Sequence, residues 1–361
     1  MPETPLPPGS TIGILGGGQL GRMLSVAASR LGLKTHIYSD EADAPAFDVA
    51  AKTTVGVYDD AASLAAFARS VGVVTCEFEN VPAQALEIAG RERPVFPPAK
   101  SFAVAQDRLV EKDFVSGLGI PVAPYAAVES LGDLNEGLTR VGTPALLKTR
   151  RFGYDGKGQV TIHTLCEAES AWEAIGGVPS VLEGMIRFER EVSVIVVRGQ
   201  DGETRFYDVV ENVHQSGILA ISRVPARIGD DTVFEARRIA GAIAEALQHV
   251  GVLCVEMFQR GTEAPHLIVN EIAPRVHNSG HWTIDACLVS QFENHVRAIC
   301  GWPLGATGRH SDAVMTNLIG ADVNEWRALA AEPGTAVHLY GKAEARPGRK
   351  MGHVTRLTPK P

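Results

Sequence analysis

The sequence predicts an α/β protein of two or three domains, in which a parallel sheet comes first and an antiparallel sheet follows. Three observations support this fold class. The chain has 361 residues, too many for one compact core. Strand and helix patterns alternate through residues 11–95, as in a parallel sheet with helices on both faces. From Glu191 onwards, apolar residues alternate with polar ones between short turns, which is typical of antiparallel strands.

The first part of the chain shows a regular β-α-β alternation. Its predicted elements are a strand over 11–15, a helix over 19–31, a strand over 34–38, a helix over 61–70, a strand over 71–76 and a helix over 83–89. The Pro-rich stretch 93–101 is a predicted domain boundary.

The middle of the chain changes character twice. A small α/β unit is predicted first, with a helix over 131–141, strands over 145–148 and 160–164, a helix over 167–175 and a strand over 180–182. Antiparallel strands follow over 191–199, 204–214 and 217–226, then a helix over 230–250 and two strands over 252–259 and 266–273. Short strand-like pieces and a basic stretch complete the chain over 311–361.

Composition limits the possible partners and compartments. The net charge of −8 argues against DNA or an anionic membrane surface as partner, while local Lys and Arg clusters leave small anions open. The five cysteines are odd in number and none lies in a C-x-x-C spacing, so neither a disulfide framework nor a zinc site is predicted. Because no signal pattern or long apolar stretch is found, we expect a cytoplasmic protein.

The stretch "TIGILGGGQLGRM" (11–23) has the pattern of a phosphate-binding turn. A strand runs into Gly16, Gly18 and Gly21 and then into a helix, and Asp40 follows 19 residues after Gly21. Taken alone, this pattern predicts a dinucleotide such as NAD, with Asp40 on the ribose.

A second glycine-rich segment, "LLKTRRFGYDGKGQV" (146–160), also indicates phosphate binding. An apolar strand leads to Lys148, and three glycines within six residues allow the backbone to approach an anion closely. No G-K-[ST] opens a helix, so this is not a Walker A loop. The alternative is a flexible hairpin with a solvated basic face.

Two carboxylates interrupt the apolar strands 252–259 and 266–273. Pairing Gln259 with His266 would set Glu256 opposite Val269, with Glu271 one diagonal away at roughly 7–8 Å. Two acidic side chains on one apolar face predict a cation between them, and Mg²⁺ carrying nucleotide phosphates fits best. The alternative is an exposed acidic sheet face without a ligand.

The segment "NEIAPRVHNSGHWT" (270–283) concentrates polar groups after a buried strand, which indicates a site. Its histidines lack zinc-ligand spacing and are expected to hydrogen-bond a substrate.

These segments together resemble the ATP-grasp superfamily. Within it, "GGGQLGRM", "CEFENVP", "GYDGKGQ", "NEIAPRVHNSGHWT" and "RPGRKMGH" closely resemble the 5-(carboxyamino)imidazole ribonucleotide synthases of purine biosynthesis (PurK, the ATPase subunit type). The resemblance covers about residues 10–357. It implies a Rossmann-like pre-ATP-grasp domain over 1–98, an ATP-grasp domain over 99–300 with a lid subdomain over about 125–187, and a small β-rich C-terminal domain over 301–361.

The resemblance also implies a reaction. ATP, bicarbonate and 5-aminoimidazole ribonucleotide would give ADP, phosphate and the N-carboxylated ribonucleotide through carboxyphosphate. The family is dimeric and uses Mg²⁺ without biotin, so we expect a homodimeric carboxylating ligase with no nucleic acid or membrane partner.

Roles at the nucleotide site are carried over from the family. The loop Gly153 to Gln159 resembles its lid, the strand Glu183 to Ile186 reads adenine with Glu183 near the exocyclic amine, and Glu191 accepts from the ribose hydroxyls. Glu256 and Glu271 would hold Mg²⁺. The expected ATP-binding residues are Arg108, Lys148, Gly153, Tyr154, Asp155, Gly156, Lys157, Gly158, Gln159, Glu183, Gly184, Met185, Ile186, Glu191, His214, Asn270 and Glu271.

The second substrate is expected to have its own set of residues. The first glycine turn would then hold a mononucleotide 5′-phosphate instead of a pyrophosphate, and Asp40 would have no role. The expected substrate-binding residues are Gly18, Gln19, Leu20, Glu77, Tyr154, Arg275, His277, Asn278, Lys342, Arg349 and Lys350. The expected catalytic residues are Asp155, which is alternatively only a turn residue, Arg275 and Lys350, which alternatively belongs to a solvated basic tail.

One departure and two alternatives remain. Lys157 stands where relatives often have Arg, which keeps the charge but loses the bidentate fork. A sister ATP-grasp enzyme, such as formate-dependent glycinamide ribonucleotide transformylase, would share the ATP residues but not "RVHNSGHWT" followed by "RPGRKMGH". An NAD-dependent oxidoreductase would depend on residues 11–40 alone.

Overall fold

The structure, a computed structural model, describes residues 4–153, 156–261, 264 and 266–360. The described strands are β1 (Thr11–Leu15), β2 (Lys34–Ser39), β3 (Lys52–Val55), β4 (Val73–Cys76), β5 (Tyr125–Val128), β6 (Ala145–Thr149), β7 (Gln159–Ile162), β8 (Ser180–Gly184), β9 (Arg190–Arg198), β10 (Thr204–Phe206), β11 (Val210–Gln215), β12 (Ile218–Val224), β13 (Gly251–Gln259), β14 (Leu267–Ala273), β15 (Ser311–Ile319), β16 (Thr335–Leu339) and β17 (Lys350–Pro359). The described helices are α1 (Gln19–Arg30), α2 (Ala61–Arg69), α3 (Ala83–Glu92), α4 (Ala99–Ala105), α5 (Arg108–Gly117), α6 (Leu131–Val141), α7 (Ala168–Ala174), α8 (Asp230–Ala246), α9 (Thr283–Ala286), α10 (Gln291–Ile299) and α11 (Trp326–Ala331).

The N-terminal sheet is parallel, with the strand order β3-β2-β1-β4. Strands β1 (TIGIL) and β4 (VVTC) are buried and mostly apolar, as expected for a sheet covered on both faces, whereas the edge strand β3 (KTTV) is largely exposed. On one face Ile14 packs with Leu24 of α1, and on the other Leu15 packs with Phe67 of α2. The predicted helices on both faces are therefore confirmed.

A second, antiparallel sheet has the order β5-β8-β6-β7. Helices α6 and α7 cover it, with Leu138 and Ala171 packed on Leu147 and Leu182. The helix predicted over 131–141 is present with those bounds. This unit carries Lys148 near the end of β6, next to the glycine-rich loop.

The largest sheet runs β14-β13-β9-β11-β12-β15-β17-β16, with β10 paired on β9. Alternation along β9 divides the core between its two faces. Val194 and Val196 belong to the cluster with α8, whereas Ile195 and Val197 pack in the cluster with α10. Ser193 lies on the second face, since side chains two residues apart on a strand share a face. That face becomes polar where α10 no longer covers it.

Several details differ from the sequence predictions. The stretch 204–214 is not one strand but β10 and β11, because Asp208 leaves the ladder to accept from Arg237 and Arg309. Helix α8 ends at Ala246 and not at 250. Strand β3 and helix α10 were not predicted. Among the described residues, no helix is both long and apolar enough to cross a membrane.

Two buried histidines join the N-terminal sheet region to the large sheet. His295 on α10 lies 2.9 Å from Thr75 Oγ1 through Nε2 and accepts from Val252 N–H through Nδ1. His249 lies 3.0 Å from Ser101 Oγ. Burial lowers the pKa of His249 to about 4 and that of His295 to about 3. Both rings are therefore neutral in the folded protein at neutral pH.

We expect acid to destabilise the protein through these histidines. Because their pKa is lower in the folded protein, these histidines bind more protons in the unfolded chain as the pH falls. Their contribution to the free energy of unfolding is therefore fully present above pH 6.5 and is lost as the pH drops toward 3 to 4. His295→Gln, which cannot titrate, should reduce the slope of unfolding free energy between pH 6 and pH 4.5 by about 1.4 kcal/mol per pH unit. Urea unfolding measures it, with exposed His310→Gln as control. Equal slopes in the His295 variant and the unmodified chain would contradict this.

Candidate active site

A cleft of about 930 Å³ lies where the three sheets meet. Most of the expected site residues line it, although they come from distant parts of the chain. Those lining it are Gln19, Leu20, Glu77, Arg108, Lys148, Gly153, Gly156, Lys157, Gln159, Glu191, His214, Glu256, Asn270, Glu271, Arg275, His277, Asn278, Lys342, Arg349 and Lys350.

The remaining expected residues are placed differently. Tyr154 and Asp155 lie outside the described residues. Those described but not among the residues lining the cleft are Gly18, Gly158, Glu183, Gly184, Met185 and Ile186.

The two candidate metal ligands lie directly opposite each other. In the observed register Glu256 on β13 pairs with Glu271 on β14, and Gln259 pairs with Leu267. The predicted register, with Glu256 opposite Val269, is therefore wrong. Two shifts of one residue account for the difference: Gln259 pairs with Leu267 instead of His266, and Asn270 is an extra residue in β14, a β-bulge. Together they turn the diagonal neighbours into a facing pair.

This facing pair is a strong electrostatic constraint. Burial, reinforced by the charge of Glu271, raises the pKa of Glu256. Arg108 Nη1 donates to Glu271 Oε2 at 3.1 Å, and His277 Nε2 lies 3.0 Å from Glu256 Oε1. Among the described residues, the second oxygen of each carboxylate has no hydrogen-bond partner. Two available carboxylate oxygens beside the Asn270 amide are the ligand types that Mg²⁺ prefers, so the residues fit this ion.

Helix α5 places three charged side chains at the site, of which the sequence analysis had identified only Arg108. Arg108, Glu111 and Lys112 lie three and four residues apart and therefore share one side of the helix. Glu111 Oε1 accepts from the N–H of Ile272, and burial, followed by the charge of Glu271, raises the pKa of Glu111 to about 8. The spacing in "DRLVEK" was the signal that could have identified Glu111 and Lys112.

Glu183 has partners that the sequence did not predict. Its Oε2 accepts from Lys148 Nζ at 3.2 Å and forms an ion pair with Lys112 Nζ at 3.1 Å. Its side chain is 5% exposed and those of Lys112 and Lys148 are 2% and 9% exposed. Burial opposes the charge of Glu183, but the two ammonium groups outweigh it and lower the pKa of the carboxyl.

The first glycine turn already holds the side-chain carboxyl group of Glu77. Gly18 N–H donates to Glu77 Oε1 at 2.5 Å, and Gly21 N–H donates to Glu77 Oε2 at 2.8 Å. Gly16 has φ +103, and a Cβ there would come within 2.3 Å of Glu77 Cγ. The carboxylate thus lies where a ligand phosphate was expected, on the donors at the start of α1. Burial raises the pKa of Glu77 despite these bonds.

The other end of the cleft is basic. Arg275 is fixed by its ion pair with Glu79 and by donating to Val276 O. Lys342 Nζ donates to the carbonyl of Lys350 at 2.8 Å. Burial, followed by the charge of Arg349, lowers the pKa of Lys342 to about 8. His281, the second histidine of the segment 270–283, also lines the cleft.

The glycine-rich loop approaches the cleft from the small antiparallel sheet. Arg108 Nη2 donates to Gly153 O at 3.3 Å. At Gly156 a Cβ would lie 3.4 Å from Gly217 Cα, so the described part of the loop reaches the β11–β12 turn. Below it, His214 Nδ1 lies 2.8 Å from Glu191 Oε2. The described part of the loop therefore forms one wall of the cleft.

Comparison with known proteins identifies the family. Residues 10–106 match the ribonucleotide synthetase preATP-grasp domain, residues 113–292 the ATP-grasp domain, and residues 313–360 the phosphoribosylaminoimidazole carboxylase C-terminal domain. The N5-carboxyaminoimidazole ribonucleotide synthase of Brucella melitensis is 50% identical over 364 residues, covering 100% of this chain and 99% of the relative. The chain belongs to the N5-carboxyaminoimidazole ribonucleotide synthase family.

Solved structures agree with this assignment. The N5-carboxyaminoimidazole ribonucleotide synthetase of Thermus thermophilus has a TM-score of 0.90 and 47% identity, covering 96% of this chain and 93% of that one. The Aspergillus clavatus synthase, solved with ADP and 5-aminoimidazole ribonucleotide, has a TM-score of 0.91 and 31% identity, covering 98% and 94%. The fold is thus an ATP-grasp fold with a pre-ATP-grasp N-terminal domain, as the sequence predicted.

Membership of this synthase family makes the chain an ATP-dependent carbon–nitrogen ligase. Neither alternative from the sequence is favoured. An NAD-dependent oxidoreductase would need the glycine turn for a pyrophosphate, but Glu77 holds its donors. A sister transformylase would not match the carboxylase C-terminal domain.

We expect Glu183 to stabilise the fold strongly, because its removal leaves two buried ammonium groups without a counter-charge. Glu183→Gln should lower the free energy of unfolding by about 3–5 kcal/mol. The control is Glu129→Gln, whose 71% exposed side chain lies 3.7 Å from Arg150 and should matter by less than about 1 kcal/mol. Urea denaturation monitored by circular dichroism measures both. Similar losses in the two variants would show that the buried triad is not special.

Proposed function

We propose that this chain carboxylates the amino group of 5-aminoimidazole ribonucleotide, using ATP and bicarbonate and releasing ADP and phosphate. The product is 5-(carboxyamino)imidazole ribonucleotide, an intermediate of purine biosynthesis. The observation that carries this proposal is the 50% identity, over the whole chain, to a synthase named for that product. The ligands solved with the Aspergillus clavatus relative, ADP and 5-aminoimidazole ribonucleotide, agree with it.

The chemistry explains why the site needs charge and closure. Bicarbonate is a poor electrophile. Its oxygen attacks the γ-phosphorus of ATP, the bond to the β–γ bridging oxygen breaks, and carboxyphosphate forms with ADP as leaving group. The amine then attacks the carbon of carboxyphosphate, or of the CO₂ released from it, phosphate leaves, and the amine loses a proton. Water would hydrolyse carboxyphosphate, so a loop that covers the cleft protects it.

At the ATP end, we propose that Lys148, Arg108 and the loop from Gly153 to Gln159 contact the phosphates. Glu191 accepts from the ribose hydroxyls, with His214 fixing its carboxylate. The strand from Glu183 to Ile186 is assigned to adenine. Support comes from Glu183 Oε1, a buried acceptor with no hydrogen-bond partner among the described residues, which suits a donor such as an exocyclic amine.

We propose that Glu256 and Glu271 hold Mg²⁺, with Asn270 beside them. Their facing placement and their two available oxygens support this assignment. When bound, the ion would neutralise charge on the phosphoryl oxygens. The protein's own contribution is to fix the carboxylates: Arg108 holds Glu271 from one side, and His277 contacts Glu256 from the other.

At the ribonucleotide end, the basic residues are the best candidates for the anionic groups. Arg275 uses Nε and Nη1 on protein partners, and its Nη2 has no partner among the described residues, which suits bicarbonate or phosphate. Lys342, Arg349 and Lys350 are proposed for the 5′-phosphate. Glu77, still hydrogen-bonded to Gly18, is proposed to accept from the ribose hydroxyls.

Other proposed contacts complete this end of the cleft. Gln19, Leu20, His277 and Asn278, which all line the cleft, are proposed to contact the ribonucleotide. Tyr154 and Asp155, in the lid sequence, are proposed to bind the ribonucleotide. Asp155 would accept the proton that the amine loses.

The organisation of the protein is proposed from the family resemblance. We propose the domain boundaries 1–98, 99–300 and 301–361, with a lid subdomain over about 125–187. We also propose a cytoplasmic homodimer. The described cysteines, all of them free, are compatible with a reducing compartment.

We expect Glu271→Gln to abolish turnover in a folded protein, because it removes one carboxylate of the proposed Mg²⁺ pair. The rate of ADP release with ATP, Mg²⁺, bicarbonate and 5-aminoimidazole ribonucleotide should fall more than about 100-fold, since even outer-shell changes at metal sites cost 10–100-fold. Glu245→Gln, an exposed change on α8, is the control and should leave the rate unchanged.

The same assay tests the substrates. ADP release by the unmodified chain should require both bicarbonate and the ribonucleotide. A rate of ADP release that does not depend on the ribonucleotide would overturn the proposed substrate. Full activity of Glu271→Gln would contradict the proposed role of Glu271 as a metal ligand.

The dimer has its own measurement. Light scattering of the purified protein should give twice the chain mass of 38.5 kDa. A mass of one chain across micromolar concentrations would contradict the proposed homodimer.

A further inference from the structure

The ring of His277 is held at both nitrogens by partners on opposite sides. Ser279 N–H donates to Nδ1 at 3.3 Å, and the Ser279 hydroxyl lies 2.9 Å from the same atom. Nε2 lies 3.0 Å from Glu256 Oε1. Because a backbone N–H only donates, Nδ1 must accept and carries no proton. The proton of the neutral ring is therefore on Nε2, facing the carboxylate.

A buried chain of hydrogen bonds leads to the same conclusion. The Ser222 hydroxyl donates to Asn212 Oδ1 at 2.8 Å, Asn212 Nδ2 donates to Ser193 Oγ at 2.9 Å, and the Ser193 hydroxyl donates to Ser279 Oγ at 2.8 Å. Each side chain along this chain accepts one hydrogen bond and donates the next, Asn212 through its amide oxygen and nitrogen, so the Ser279 hydroxyl is left to donate to His277 Nδ1. All four side chains are buried, and their bonds run in one direction.

The backbone of His277 is fixed independently of its ring. Gln291, which is fully buried, accepts from the His277 N–H at 3.0 Å and donates to the His277 carbonyl at 2.7 Å. Gly280 lies so close that a Cβ there would come within 2.6 Å of Gln291 Oε1. These contacts fix the backbone of the segment against the start of α10, so the ring meets Glu256 from a fixed direction.

We propose that His277 is a positioning residue for Glu256. Its Nε2–H donates to Oε1 and leaves Oε2 as the oxygen that faces the metal. This rests on the proposed function, in which Glu256 holds Mg²⁺. The rival interpretation is that His277 itself ligates a metal, since Cys254, Glu256 and His277 place ligand atoms within 4.8 Å of one another. A nitrogen that carries a proton has no lone pair for a metal, so the hydrogen-bond pattern excludes this rival.

The tautomer is measured directly by two-bond ¹H–¹⁵N NMR on protein with ¹⁵N-labelled histidine. The His277 signals are assigned by their loss in His277→Gln. We expect the Nε2–H tautomer near pH 7.5. It should be unchanged in a second sample that contains ADP and Mg²⁺, the diamagnetic ion. A proton on Nδ1, or loss of the Nε2 proton when metal is added, would overturn the proposal.

Two variants separate positioning from a merely structural role. His277→Gln places an amide N–H near the Nε2 position, whereas His277→Asn places one only near Nδ1. The affinity for Mn²⁺ in the presence of ADP, measured by electron paramagnetic resonance of free Mn²⁺, should fall about 10–100-fold in His277→Asn and stay near that of the unmodified chain in His277→Gln. Circular dichroism checks that both are folded. Equal losses in both variants would contradict the proposal.

Neither measurement uses the ribonucleotide or its turnover. If ADP release proves independent of 5-aminoimidazole ribonucleotide while the tautomer and the Mn²⁺ affinities are as expected, only the proposed substrate fails. If turnover is as proposed but Nδ1 is protonated, only the role of His277 fails.

Discussion

The facing pair Glu256 and Glu271 is the constraint on which the site depends. Two like charges on neighbouring strands, partly buried, repel each other unless nearby groups compensate them. Arg108 approaches from helix α5, and His277 approaches from the loop after β14. These two partners come from different parts of the fold. The carboxylate pair therefore helps to hold both α5 and the loop over 277–281 against the large sheet. Cation binding and the packing of these elements are therefore linked.

One face of that sheet has an apolar part that belongs to the core and a polar part that lines the cleft. Near α10 it is apolar, with Ile195 and Cys254 in the core. Two residues further along the same strands it carries Ser193 and Glu256, which pair in register. The change occurs within single strands, so the hydrophobic core directly supports the polar cleft. Side chains in the cleft consequently inherit the rigidity of the core beneath them.

The sequence predicted what depends on local pattern and missed what depends on distant partners. The alternation of apolar and polar residues predicted most strands of the large sheet. The predicted and observed bounds of α6 agree at both ends because Ser130 caps the helix and Gly142 follows it. The register of Glu256 was wrong for two reasons: the hairpin pairs Gln259 with Leu267 instead of His266, and the bulge at Asn270 carries neither glycine nor proline as a signal. Glu183 and Glu77 were given different partners, since Lys112 lies 71 residues from the first and Gly18 lies 59 residues from the second. Nothing in the local sequence records such contacts.

The carboxylate of Glu77 gives the first glycine turn a selective character. Being attached to the end of β4, it acts as a tethered competitor of dissolved anions for the backbone donors of the turn. Chloride or inorganic phosphate would have to displace two hydrogen bonds to reach the donors of Gly18 and Gly21. The N-terminus of α1, which could otherwise bind many different anions, is thereby occupied by Glu77. A ligand can bind there only by contacting this side chain or by replacing both of its hydrogen bonds.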